Sequence, residues 1–186
     1  MFRMADDSPS TERQRNLWAP WRMEYIDALD DRPSMDADGC FLCRYRDAAE
    51  DEKNFVLWRS ERCFAMLNLF PYTGGHSLVA PLEHVGELGQ LDDATMAEMM
   101  GHARDLTRAL AQAFGAEGFN IGMNVGRCAG AGLPGHLHVH VVPRWGGDTN
   151  FMAVLGGVRV IPAGLEEMYA RVRAAADELG LPASGG

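Results

Sequence analysis

Three histidines spaced two residues apart are the densest group of chemically active side chains in the sequence: His136, His138 and His140. Side chains alternate between the two faces of an extended strand, so the three imidazoles share one face and the intervening apolar residues share the other. The spacing therefore predicts a half-buried strand, ending at Pro143, with one chemical face and one core face.

Imidazole serves in proteins both as a metal ligand and as a nucleophile, so two kinds of site fit these histidines. On a flat strand the first and third lie roughly 13 Å apart, at about 3.3 Å per residue. All three cannot then reach one ion at ligand distances of about 2.1 Å. The geometry disfavours a three-histidine metal site and favours a nucleophile flanked by imidazoles.

A second candidate site begins at Cys40 and Cys43, which are separated by two residues. This spacing is typical of one half of a tetrahedral zinc site, and two further ligands are needed to complete it. A redox pair is the alternative, although the sequence lacks the spacer and the helix start of a thioredoxin motif. His84 follows a predicted strand closely and is expected at the rim of the sheet.

A glycine-rich segment, residues 125–135, directly precedes the three histidines. Glycines permit positive φ and close backbone approach, so that N–H groups can point at phosphate oxygens. Any glycine-rich connection between neighbouring strands has a similar composition. The position of this one, next to the histidines, favours a phosphate-binding loop.

The periodicity of the remaining chain predicts the elements that position these groups. Four further strands are expected at about 54–58, 63–68, 76–80 and 118–124. The apolar period changes to that of an amphipathic helix over 91–115 and again over 165–179. We expect an α+β fold with an antiparallel sheet of about five strands, one long central helix and a C-terminal helix. A single domain (17–181) is predicted between a flexible arm (1–16) and a flexible tail (182–186).

Composition excludes several classes of function. The 186 residues carry a formal net charge of −9, so there is no overall basic field to attract nucleic acid or an anionic membrane. Residues 1–16 contain no apolar stretch that would predict a signal peptide or a membrane span. We therefore expect a cytoplasmic protein with reduced cysteines. The aromatic segment 17–26 is expected to pack within its own domain, at a subunit interface or over the substrate base.

The run from His136 to Val142 resembles the signature of the histidine triad (HIT) superfamily, in which three histidines alternate with apolar residues and two apolar residues follow. Asn68 with the segment 71–81, and the strand ending at Asn124 with its glycine loop, are similar to the nucleotide-binding and phosphate-binding segments of that family. The flanks at 17–22 and 144–151 look most like the bacterial diadenosine tetraphosphate phosphorylase type.

The resemblance implies a HIT-like fold and a set of site residues. It implies His138 as the nucleophile and His140 as a contact to the reacting phosphate. The residues that it implies for nucleotide binding are Asn68, Asn124, Gly130, Ala131, Gly132 and Trp145. A structural zinc ion is implied at Cys40, Cys43, His84 and His136, with no organic cofactor.

The implied reaction is cleavage of dinucleoside polyphosphates through a covalent nucleotidyl-histidine. The nucleotide is then released to inorganic phosphate or to water, by phosphorolysis or hydrolysis. Two alternatives stay open at this point: a nucleoside phosphoramidate or nucleotidyl hydrolase of broad specificity, and a nucleotide-binding module with slow turnover. The family also implies a homodimer or a higher homo-oligomer.

Overall fold

The computed structural model describes residues 37–148 and 163–182. The predicted arm (1–16), the aromatic segment (17–26) and the predicted tail beyond residue 182 lie outside these ranges. The predicted domain boundaries therefore stay predictions.

The described residues contain a single antiparallel sheet of five strands. In chain order the strands are β1 (Val56–Arg59), β2 (Cys63–Leu67), β3 (Ser77–Pro81), β4 (Gly118–Met123) and β5 (Val139–Arg144). Their order across the sheet is β1-β2-β3-β5-β4, so the strand that carries the last histidine lies between β3 and β4. The predicted α+β class and strand number are confirmed.

In the part of the chain that the structure describes, three α-helices accompany the sheet: α1 (Phe41–Asp47), α2 (Asp93–Phe114) and α3 (Leu165–Glu178). The carboxylate of Asp92 accepts a hydrogen bond of 2.6 Å from the backbone N–H of Thr95, which caps the start of α2. Gly115 ends α2 in the left-handed conformation at φ 63°. The long central helix and the C-terminal helix therefore begin and end close to the predicted residues.

The two faces of the sheet are covered differently. Helices α2 and α3 pack on the face that carries Val79, Val139 and Val141, and together they form the larger core cluster. A smaller cluster on the opposite face joins Leu78 of β3 to the cysteines around α1. The predicted core face of the histidine strand is thus confirmed, and His140 lies on the opposite face, beside the smaller cluster.

Two details of the predicted secondary structure were wrong. Strand β5 begins only at Val139 and includes Pro143, which is paired with Phe119. Strand β3 pairs with β5 only as far as Val141, so Pro143 lies beyond that ladder, where a missing N–H is tolerated. In addition, Cys40 is the N-cap of α1, a helix start that was not recognised because a seven-residue helix carries too little periodicity.

The two edges of the sheet also differ. The hydroxyl of Tyr169 on α3 donates to the carbonyl oxygen of Val56 at 3.2 Å, and Arg173 donates to that of Leu57, so side chains of α3 cap the outer edge of β1. At the other edge, residues 120–122 of β4 are exposed. Within the described ranges, no helix combines the length and the apolar character needed to span a membrane.

Candidate active site

His138 and His140 lie at the start of β5 with their ring centroids 4.8 Å apart. His138 is 8% exposed, and His140 is half-buried at the rim of a cavity. Strand alternation places both side chains on the sheet face opposite α2. The two rings therefore share a partly dry site that a substrate can reach from one side.

The hydrogen bond of His138 fixes which ring nitrogen carries its proton. Its Nδ1 lies 2.9 Å from the carbonyl oxygen of His136. Because a carbonyl oxygen only accepts, Nδ1 of His138 must be the donor, and in the neutral ring Nε2 then keeps a free electron pair. Nε2 of neutral His138 therefore offers a free electron pair.

A fourth histidine, His76, sets the tautomer of His140. The backbone N–H of Tyr72 donates to Nδ1 of His76 at 3.1 Å, and the side-chain amide of Asn68 also contacts this nitrogen, at 3.2 Å. The proton of neutral His76 is consequently on Nε2, which lies 3.0 Å from Nδ1 of His140. His140 accepts this bond at Nδ1 and carries its own proton on Nε2.

His138, directly before β5, and His140, within it, thus have opposite chemical characters at the same ring position. Nε2 of His138 offers an electron pair, whereas Nε2 of His140 offers a proton to a hydrogen-bond acceptor. A nucleophile beside a hydrogen-bond donor suits attack on a phosphorus centre whose oxygens need stabilisation. The ring of Tyr72 lies beside His76 and His140, with centroid distances of 4.6 and 6.0 Å.

Burial keeps these rings neutral. It lowers the pKa of His140 to about 4, helped by the nearby His138, and it lowers the pKa of His76 to about 3. Burial also lowers the pKa of His138, against the bond to the His136 carbonyl, which raises it. All three rings are therefore uncharged near pH 7, as the tautomer assignment requires.

Asn124, which lines the same cavity as His140, leads into the glycine loop, and part of the hydrogen bonding of that loop is internal. The N–H of Gly130 donates to the carbonyl oxygen of Arg127 at 3.0 Å, and the Asn124 amide contacts the Gly130 carbonyl at 3.5 Å. Ala131 is buried and Gly132 is exposed. Asn124 therefore contacts the loop, and the phosphate-binding role predicted for Gly130, Ala131 and Gly132 stays a prediction.

A compact cluster of thiols and imidazoles lies beside the nucleophile: Cys40, Cys43, His84 and His136. Their potential ligand atoms all lie within 4.8 Å of one another. Nδ1 of His136 lies 3.3 Å from Sγ of Cys40, and Nδ1 of His84 lies 3.2 Å from Sγ of Cys43. The structure brings together the four predicted ligands, which are spread over 97 positions of the chain.

The chemistry of this cluster fits a structural zinc ion. Nε2 of His136 lies 2.9 Å from the carbonyl oxygen of Pro81, so that nitrogen carries the proton and Nδ1 turns its electron pair toward the thiols. Two thiols with two imidazoles complete a tetrahedral set without an open position. Burial and the adjacent Cys40 raise the pKa of Cys43 to about 11, so binding of a cation must release its proton.

Arginine contacts hold α1 in place around the cluster. Arg59 on β1 donates to the carbonyl oxygens of Tyr45 and Arg46 at 2.7 and 2.8 Å, and it pairs with Asp51 at 2.6 Å. These bonds satisfy carbonyls at the C-terminal end of the helix. These protein contacts therefore anchor to the sheet the helix that begins after Cys40 and contains Cys43.

Comparisons with known proteins identify the family of this chain. The HIT domain profile matches residues 49–147, more than half of the chain. The chain belongs to the HIT family. It is 39% identical over 153 residues to the AP-4-A phosphorylase of Mycobacterium tuberculosis. The aligned region covers 81% of this chain and 78% of that protein.

Two further HIT relatives are more distant. The bis(5'-nucleosyl)-tetraphosphatase (asymmetrical) of Schizosaccharomyces pombe is 34% identical over 48% of each chain. A Zn-bound histidine triad family protein from Mycobacterium smegmatis superposes with a TM-score of 0.66 at 29% identity, over 78% of this chain and 98% of that one. The predicted HIT-like fold is confirmed.

The sequence prediction of the HIT site missed His76 and did not foresee the contacts of Asn68, whose nucleotide-binding role stays a prediction. His76 was not singled out, because a lone histidine at the start of a strand carries no pattern. Asn68, predicted to contact the nucleotide, uses its carbonyl oxygen on the N–H of Phe70 and its amide on His76. In this structure Asn68 braces His76.

Proposed function

We propose that this HIT protein is an enzyme that cleaves dinucleoside polyphosphates through a covalent nucleotidyl-histidine on His138. One observation carries the proposal: the bond from Nδ1 of His138 to the His136 carbonyl, which leaves the electron pair of Nε2 free beside the donor of His140. The AP-4-A phosphorylase at 39% identity and the tetraphosphatase support the substrate class.

In the first step, Nε2 of His138 attacks the α-phosphorus of the bound nucleotide, and the bond from that phosphorus to the bridging oxygen breaks. The remaining nucleotide leaves with the electron pair of that bond. The Nε2 proton of His140 is shared with a non-bridging oxygen, where charge develops. Removal of one such donor typically slows a reaction by about 10²–10³-fold.

In the second step, an acceptor oxygen attacks the same phosphorus and the bond to His138 breaks. Inorganic phosphate as acceptor converts diadenosine tetraphosphate into ADP and ATP, whereas water gives AMP and ATP. Similarity to the phosphorylase supports phosphate as the acceptor. The N–H groups of Ala131 and Gly132 are proposed to bind the reacting phosphate, with Asn124 supporting their loop.

We further propose that Cys40, Cys43, His84 and His136 bind a structural zinc ion. When bound, the metal supplies a fixed cross-link between α1, the segment after β3 and the entry to β5. The ring of His136 would be a ligand while its carbonyl orients His138, so the cross-link also steadies the nucleophile. The Zn-bound neighbour supports this assignment.

The predicted homodimer has one structural argument in its favour. Side chains of α3 cap the outer edge of β1, but residues 120–122 of β4 are exposed at the opposite edge. An open edge strand pairs readily with another strand. We propose that two copies associate through β4. Cytoplasmic localisation stays a prediction.

The test is to incubate the purified protein with diadenosine tetraphosphate, with and without inorganic phosphate, and to separate the nucleotides. ADP and ATP formed only with phosphate support phosphorolysis, and AMP and ATP formed in both conditions support hydrolysis. Turnover of a nucleoside phosphoramidate with no reaction of diadenosine tetraphosphate would favour the broad-specificity alternative. Binding without turnover of either would favour the binding module.

His138→Ala tests the nucleophile, with His140→Ala as the matched variant on the same strand. We expect His138→Ala to abolish turnover and the adenylylated protein detected by mass spectrometry, with zinc content unchanged. His140→Ala should slow adenylylation without preventing it. Adenylylation of the His138→Ala protein would refute the assignment.

A further inference from the structure

The turn directly before β3 connects the helix-covered face of the sheet with the face of the active site. Gly75 lies on the helix side, since a Cβ at this residue would be 2.9 Å from Cδ2 of Leu110 on α2. The next residue, His76, extends its ring to the other side, where its Nε2 lies 3.0 Å from Nδ1 of His140. A shift of Gly75 therefore moves the imidazole that fixes the His140 proton.

The backbone of Gly75 is hydrogen-bonded at both of its polar groups. Its carbonyl oxygen accepts from the hydroxyl of Ser77 at 2.9 Å, and its N–H donates to the thioether Sδ of Met168 on α3 at 3.3 Å. Both bonds are buried, and Met168 is 2% exposed. Helix α3 thus supplies the acceptor for a buried backbone N–H in the turn that carries His76.

The sulfur of Met168 supplies something that packing alone does not. A thioether is a weak hydrogen-bond acceptor, whereas an aliphatic side chain of similar size accepts no bond at all. Leucine at this position would still pack in the larger core cluster, but the N–H of Gly75 would lose its partner. Because a buried N–H without an acceptor is costly, the turn is then expected to shift toward another arrangement.

The position of the proton on His76 depends on the same turn. The N–H of Tyr72 donates to Nδ1 of His76 at 3.1 Å, and the carbonyl oxygen of Thr73 accepts from the backbone N–H of His76 at 3.2 Å. When the turn shifts, Nδ1 of His76 loses the donor that keeps it unprotonated, so the ring can carry its proton there instead of on Nε2. His140 then loses the bond at its own Nδ1, and its proton is no longer held on Nε2.

We propose that Met168 is a positioning residue for the reaction at His138. Its sulfur holds the turn at Gly75, and through that turn it keeps the proton of His140 on Nε2. The inference rests on the proposed function and adds one residue to it. Helix α3 lies outside the segment that matches the HIT domain profile, so the C-terminal helix takes part in setting the active site.

Met168→Leu tests this role, and Met99→Leu on α2 is its matched control. Both methionines are buried in the larger core cluster. In the described part of the chain, a hydrogen bond to sulfur is found for Met168 and not for Met99. Exchange of methionine for leucine conserves most of the volume, so we expect both variants to fold, with similar small losses of stability in thermal unfolding.

The first readout is NMR of the substrate-free protein near neutral pH. The nitrogen chemical shifts of an imidazole differ strongly between its protonated and its unprotonated nitrogen, so they report the tautomer of His140 directly. We expect the proton on Nε2 in the wild type and in Met99→Leu. In Met168→Leu, we expect part of the population to carry it on Nδ1.

The second readout is the pair kcat and KM for diadenosine tetraphosphate, in the presence of inorganic phosphate. We expect kcat of Met168→Leu to fall about threefold to tenfold, a fraction of the 10²–10³-fold loss that follows complete removal of such a donor. KM should keep its wild-type value, because the Nε2 proton of His140 acts on charge that develops only during the reaction. Met99→Leu should keep both values.

The two readouts separate this inference from the proposed function. An unchanged His140 tautomer in Met168→Leu refutes the inference, whatever the activity. An equal fall of kcat in both variants refutes it too, because it indicates a general loss of packing, and so does an altered tautomer with unchanged kcat. A wild-type protein without turnover refutes the proposed function, and the tautomer comparison then still tests the link from Met168 to His140.

Discussion

Replacing His76 with glutamine should make the protein less sensitive to acid. His76 is 1% exposed, and burial together with the neighbouring His140 and His138 lowers its pKa to about 3 from an ordinary 6.5. Below pH 6.5 the unfolded chain therefore binds a proton at this residue while the folded chain does not. Folding then opposes protonation, so the free energy of unfolding falls as the pH falls toward 3.

The expected loss of stability follows from the two pKa values of His76, one for the folded and one for the unfolded chain. Each unit of separation corresponds to about 1.36 kcal/mol, and at pH 5 the unfolded-state pKa lies about 1.5 units above the solution pH. His76 should therefore remove about 2 kcal/mol of stability between pH 7.5 and pH 5. Glutamine does not titrate, and its amide can still donate toward His140. The variant His76→Gln should lack this loss.

The assay is urea unfolding of wild type and His76→Gln at pH 7.5, 6.5 and 5.0, with the linear extrapolation to water. At pH 7.5, the difference in unfolding free energy between the two proteins reports the packing and hydrogen bonds of residue 76. Only the change of this difference with pH reports the titration of His76. Metal loss and the buried histidines that do not contact His76 act on both proteins and cancel in this difference. Equal pH dependence in the two proteins would refute the assignment of a buried neutral His76.

Three further predictions concern the surroundings of the site. In Gly86→Ala the new Cβ would lie 3.0 Å from the backbone oxygen of Pro134, so the substitution should displace the segment that carries His84. We expect this variant to lose zinc to a chelator faster than wild type. Gly89→Ala is the matched control, because a Cβ at residue 89 would have no atom within 4 Å. Arg59→Ala leaves the C-terminal carbonyls of α1 without their guanidinium partner and should lower the free energy of unfolding by about 1.5–3 kcal/mol in urea titrations. Ser60→Ala removes the partner of His102 Nε2 at 2.6 Å and should destabilise by about 1–3 kcal/mol with kcat unchanged; a fall in kcat at full stability would contradict a purely structural role.

The elements with strong local signals were predictable from the sequence. Helix α2 has a long apolar stripe, a capping Asp92 and a terminal Gly115, each of which acts within one or two turns. The alternation around β5 identified its buried face correctly, because the strand period depends only on backbone geometry. The metal cluster was found through family resemblance, since the cysteine pair alone is half of a site.

Features that depend on long-range pairing were not predictable in this way. His76 meets His140 because β3 pairs with β5 across 64 positions of the chain, and no local pattern marks that contact. Asn68 turns toward His76 for the same reason. Helix α1 is short and is held by Arg59, a contact that sequence periodicity does not report. The roles assigned to individual site residues stay predictions until the variants are measured.

His136 performs its two tasks with different parts of one residue, the ring toward the thiols and the carbonyl oxygen toward His138. Every amino acid has that carbonyl, so the hydrogen bond to Nδ1 of His138 is available whichever side chain stands at position 136. The proposed metal ligands can therefore change during evolution, or be exchanged by a protein engineer, as long as another cross-link keeps the backbone on the same path into β5. A designer could recruit another ion here, for example with His136→Cys, and leave the reaction chemistry of the neighbouring strand intact.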